Sequence, residues 1–147
     1  MVHFYKVILF ISLIFTYPAL GISVSVNSNC SNGAIPFNFS QYSFDPDFKI
    51  KISLHDINAD YIFKEVTSKY GADIVVENNI SVDFSVCKSY RGKTIKISDY
   101  EYDPDLTIKI SNDAYDSDFT IYNNSILSIE EAISILLIPG YSLLEKK

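Results

Sequence analysis

Three groups of residues in this chain of 147 are of types that do chemistry: a histidine beside a carboxylate, runs of aspartate, and a pair of cysteines. His55-Asp56 has the makings of a general-base pair, but no Ser or Cys stands in a nucleophile motif for such a base to activate. A lone histidine there reads as a capping or surface residue. The acidic runs Asp45 to Asp47, Asp103 to Asp105 and Asp113 to Asp118 could supply the two carboxylates of a glycosidase. The chain has no Trp to form a sugar platform, and solvated turns explain these runs better. Metalloprotease, phosphate-loop and serine-hydrolase signatures are missing from the sequence. No catalytic residue, metal site or cofactor is expected, and the chain does not read as an enzyme.

The cysteines are read through the segment that precedes them. Lys6 supplies a positive charge, Val7 to Phe15 form an apolar run interrupted only by Ser12, and Pro18 leads into Ala19-Leu20-Gly21. This is the three-part pattern of a secretory signal peptide, and it is well short of the ~20 apolar residues of a membrane span. Cleavage after Gly21 is expected, leaving residues 22–147 as one exported domain with no membrane span. Cys30 and Cys87 then meet an oxidising compartment, where one disulfide is the default and contributes roughly 2–4 kcal/mol. Asn-x-Ser occurs at Asn29, Asn38, Asn79 and Asn123, which would matter only in a glycosylating host.

Twelve basic against eighteen acidic residues give a formal net charge of −6. Nucleic-acid binding needs clustered Lys and Arg to neutralise phosphates, so it is not expected. At 48% hydrophobic residues the chain has enough apolar content for one core.

Most of the exported part alternates polar with β-branched or aromatic residues, as half-buried strands do. Lys49 to Leu54, Asp73 to Glu77, Ser81 to Val86, Thr94 to Ser98, Thr107 to Ser111 and Asp118 to Tyr122 are expected strands, with a last one around Tyr141 to Leu144. Two segments change to helical spacing. Ala59, Ile62, Phe63, Val66 and Tyr70 make one apolar stripe, with Asn58 as cap and Gly71 at the end. Ile129, Ala132, Ile133, Leu136 and Leu137 make the other, opened by the capping-box pair Ser128 and Glu131 and stopped by Pro139-Gly140. The expected fold class is α+β: two short amphipathic helices packed on small mixed or antiparallel sheets. One internal echo stands out: Tyr42 to Ser53 and Tyr100 to Ser111 agree at eight of twelve positions, each through Asp-Pro-Asp. It reads as a reused turn that launches a strand, and two copies are too few for a solenoid.

Residues 49–76 and 118–144 resemble the short N-terminal (N0-like) domain of secretins and TonB-dependent transducers. The resemblance lies in the strand, Asn58, stripe, Gly71 and apolar-strand order of the first block. In the second it lies in Ser128-Ile-Glu-Glu-Ala-Ile133 followed by Gly140-Tyr141-Ser142-Leu143. It implies that residues 81–116 are an inserted hairpin carrying Cys87. It further implies a stand-alone periplasmic accessory protein that binds an outer-membrane secretin, or other envelope subunits, in type IV pilus biogenesis or secretion. The alternatives are a signalling domain of a TonB-dependent system and a small secreted effector or inhibitor. Docking domain to domain or by strand addition is expected, the latter at Thr107, Ile108, Lys109 and Ile110 if they form a sheet edge, with Tyr102 beside them.

Overall fold

The computed structural model describes residues 21–137 apart from 32, 43 and 83, so the signal-peptide segment, Pro139-Gly140 and the strand expected near Tyr141 lie outside the described residues. Nine strands form a closed barrel: β1 (Ile22–Asn27), β2 (Ile35–Phe39), β3 (Phe48–Ser53), β4 (Tyr61–Glu65), β5 (Ile74–Asn78), β6 (Phe84–Lys88), β7 (Lys93–Ser98), β8 (Leu106–Ile110) and β9 (Phe119–Asn124). Every pairing is parallel. Among the described residues there is one α-helix, α1 (Ile129–Ser134), which runs into a 3-10 turn at Ile135–Leu137.

The order around the barrel is β1-β6-β2-β7-β3-β8-β4-β9-β5 and back to β1. Each strand is therefore followed in sequence by the next but one in space. A step of two around a ring of nine visits every position once, because nine is odd, and the chain closes the barrel in two laps. In eight interfaces the first residue of one strand lies level with the third of its neighbour, as Phe48 with Ile95 and Leu106 with Ile50. Only β1 and β5 meet first to first, Ile22 with Ile74. The staggers share one sense, so the shear totals sixteen residues and the strands are steeply tilted. A tilted strand moves around the barrel as it rises, which brings its end towards the position two along. Connections of four to eight residues then suffice, where parallel neighbours usually need a dozen or more.

The elements repeat. Strands begin at Ile22, Ile35, Phe48, Tyr61 and Ile74, each thirteen residues after the last, and again at Lys93, Leu106 and Phe119; only the units starting at Ile74 and Phe84 are shorter. The third residue of every strand points inward: Val24, Phe37, Ile50, Phe63, Val76, Val86, Ile95, Ile108 and Ile121 are all at most 1% exposed. These nine side chains form the central layer of the core, and even staggers keep inward and outward faces in step. Ala132, Ile133, Ile135 and Leu136 of the C-terminal helical segment complete the core.

The residue before five of the strands carries a second regularity. Asp47, Asp60, Asp73, Asp105 and Asp118 each accept, through a carboxylate oxygen, the backbone N–H of the second residue of the neighbouring strand. The partners are Thr94, Thr107, Thr120, Lys49 and Ile62, at 2.7–2.9 Å. Asp60, Asp105 and Asp118 return the bond by donating their own N–H to the carbonyl of the same partner. Five successive interfaces of the barrel are latched in this way. A charge-assisted bond at the start of these five strands also fixes their register.

The α+β expectation is thus corrected. The first expected helix, Ala59 to Tyr70, contains strand β4. Asp60 latches to Thr107, Phe63 takes the inward third position, and pairing with β8 and β9 satisfies the backbone that a helix would otherwise have satisfied. Gly71 does hold the left-handed conformation expected of it (φ 81°), but in a turn between strands. Asn58 caps no helix; its N–H donates to the Asp56 carboxylate at 2.9 Å. The expected hairpin insertion, 81–116, supplies β6, β7 and β8, which are parallel members of the barrel. The second helix is present with the Ser128–Glu131 capping box formed in both directions.

Candidate protein-interaction surface

Because the interior is filled by side chains, the connections run over the outside of the barrel. The β7–β8 connection crosses β3, where the outward-facing Lys49 meets Asp103 at 3.8 Å. Lysines at the fourth position of their strands hold the connection that follows: Lys51 to Asp56 at 3.5 Å, Lys96 to Glu101 at 3.0 Å and Lys109 to Asp116 at 3.3 Å. Such ion pairs add little to global stability, but they fix where a connection lies. Asp56 is also bonded by the Asn58 backbone N–H, which, ahead of Lys51, holds its carboxyl below the ordinary value of 3.8.

At the fourth position of β6 stands Cys87, and the β1–β2 connection that crosses it carries Cys30. The two are joined in a disulfide, with Cα atoms 5.2 Å apart. The expected pairing is therefore present. It fastens covalently a connection of the kind that ion pairs hold elsewhere.

In each of five connections one large side chain points into solvent. Phe44, Ile57, Tyr70, Tyr102 and Tyr115 all stand ten residues after the residue that precedes their strand, and all are at least 87% exposed. They belong to the β2–β3, β3–β4, β4–β5, β7–β8 and β8–β9 connections, which are consecutive around the barrel. Tyr42 and Tyr100, two residues earlier in their units, are 89% and 92% exposed and line one open cleft of about 590 Å3. Single exposed apolar residues are commonplace, but a register of them on adjacent loops makes this face a candidate interaction surface.

Of the residues expected to dock a partner, only Tyr102 belongs to this band. Thr107, Ile108, Lys109 and Ile110 lie in β8, which is paired on both sides by β3 and β4, and Ile108 is fully buried. A closed barrel has no free edge, so strand addition at β8 is ruled out. His55 is exposed, and the carboxylate of neighbouring Asp56 is taken by Lys51 and Asn58. Among the described residues no three or more His, Cys, Asp or Glu are grouped to hold a metal ion, and no helix is long and apolar enough to cross a membrane. Phe44, Ile57, Tyr70 and Tyr115 carry no motif on their own; their common offset within a thirteen-residue unit was the signal that could have found them.

Compared with known protein families, characterised proteins and solved structures, the chain matches none.

Proposed function

We propose that this protein is a non-catalytic binding module that engages another protein through the aromatic band on its connecting loops. The observation that carries this reading is the common register of Phe44, Ile57, Tyr70, Tyr102 and Tyr115 on five consecutive loops, each side chain projecting from backbone held against a rigid barrel. Tyrosine and phenylalanine supply large contact area, and loops already fixed in place lose little entropy on binding. The test is the variant Phe44→Ser/Tyr102→Ser/Tyr115→Ser, compared with wild type by co-purification from native cells. Partner recovery should fall at least tenfold while the melting temperature stays the same. Undiminished recovery contradicts the reading.

A narrower form places the protein in the periplasm as an accessory subunit that docks on an outer-membrane secretin and supports its assembly. It rests on the resemblance of residues 118–144, where the capped helix stands as expected; residues 49–76 lend it no support, because their expected helix is strand β4. Deleting the gene and following secretin multimers tests it: they are lost if the protein is an assembly partner and persist if it is not.

A further inference from the structure

The five connections that carry the aromatic band also divide the charge. Residues 40–47, 54–60, 66–73, 99–105 and 111–118 hold twelve of the eighteen acidic residues and one of the twelve basic ones, Lys69. Strand lysines beneath these connections balance part of that charge, as Lys51, Lys96 and Lys109 do. Asp45, Asp99 and Asp113 are exposed acids within the same loops. The aromatic rings thus stand in an acidic layer.

Among the described residues this layer has a concave place. The cleft between the β2–β3 and β7–β8 connections is lined by Tyr42 and Tyr100, with Gln41, Asp99 and Glu130 among its polar groups. Lys96 also lines it, but its ammonium is held by Glu101 at 3.0 Å. Two tyrosine rings with carboxylates beside them suit a cation: the ring faces attract it through their quadrupoles, and the carboxylates accept its N–H groups.

We propose that this loop face receives a cationic segment of the partner protein, with one arginine or lysine side chain seated in the cleft between Tyr42 and Tyr100. The inference rests on the docking function proposed above and names its partner's chemistry. Acidic surroundings steer such a segment in and disfavour anionic partners, while the rings hold the anchoring side chain.

The test uses the purified protein and two short labelled peptides, oligo-arginine and oligo-glutamate, followed by fluorescence anisotropy at low salt and at ~0.3 M salt. Oligo-arginine should bind, weaken with salt, and lose about tenfold in affinity in the Tyr42→Ala/Tyr100→Ala variant. That variant leaves the net charge unchanged, so its loss cannot come from bulk electrostatics. Asp99→Asn should weaken the same peptide, and oligo-glutamate should not bind. Both tyrosines are exposed, so an unchanged melting temperature is expected for the variant.

Equal binding by wild type and the tyrosine variant, or no binding of oligo-arginine, overturns the proposal. Partner recovery from cells that depends on Phe44, Tyr102 and Tyr115 but not on Tyr42, Tyr100 or salt also overturns it, while leaving the docking function intact. Recovery that depends on none of these residues removes both.

Discussion

Gly92 and Pro36 face each other across the β2–β7 interface, and each accounts for the other. Gly92 occupies the position before its strand that Asp fills in five other described units. Pro36 occupies the second position of the neighbouring strand, the one that elsewhere donates its N–H to that aspartate. Proline has no N–H to give. A Cβ at Gly92 would run into the backbone of Pro36 and Phe37. Gly92→Ala should therefore destabilise the barrel by about 2–3 kcal/mol, as forced overpacking does. Urea denaturation measures it; an unchanged midpoint would show that the two strands can move apart freely.

The latching aspartates make a graded prediction. In Asp105→Ala the Lys49 N–H loses its carboxylate acceptor, at a cost of about 1–2 kcal/mol given the exposure of the site. Asp105→Asn keeps an acceptor oxygen and should cost less. Equal effects of the two substitutions, compared by thermal unfolding, would mean that the carboxylate is not acting as an acceptor.

Asp56 predicts a pH dependence confined to one loop. Its carboxyl is held low by the Asn58 backbone N–H and then by Lys51. A depressed folded-state value means that the stabilisation is fully present above the ordinary 3.8 and is lost as the pH falls through the lower, folded value. Amide exchange across 54–60 should accelerate in that acid window in wild type and be fast throughout in Asp56→Ala. An NMR titration that puts the carboxyl at or above its ordinary value contradicts this.

The disulfide closes a sequence separation of 57 residues. Cys30→Ser should lower stability by roughly 2–4 kcal/mol, mainly by freeing the unfolded chain, without changing partner binding. The aromatic band lies on other connections. Reduction that leaves the melting temperature unchanged would show that the link adds nothing to the fold.

Much of this architecture was legible locally, and its topology was not. The alternation in Lys49 to Leu54 and Thr107 to Ser111 gave strands, and Ser128 with Glu131 gave the capped helix, because both signals lie within a few residues. Ala59 to Tyr70 misled because Ile62, Phe63 and Val66 fit a helical stripe as well as they fit a short strand followed by a turn. Tertiary pairing decided between the two. The echo between Tyr42 to Ser53 and Tyr100 to Ser111 was a fragment of the larger repeat. Asp47, Asp60 and Asp73 stand thirteen apart, as do Asp105 and Asp118, but the two short units between them break the period. Those five aspartates were readable as turns, while their role needed the partner strands in place. The exposed band was invisible for the same reason: tyrosine alone does not say whether it lines a core or a rim.

Site-specific photo-crosslinking in native cells shows whether a partner sits on the loop band. A photoreactive residue in place of Tyr102 or Tyr115 should give a discrete crosslinked species. The same residue in place of Lys88 or Asn79, exposed positions outside the five connections, should give none. Crosslinks from the control positions alone would place the partner on another face and contradict the account.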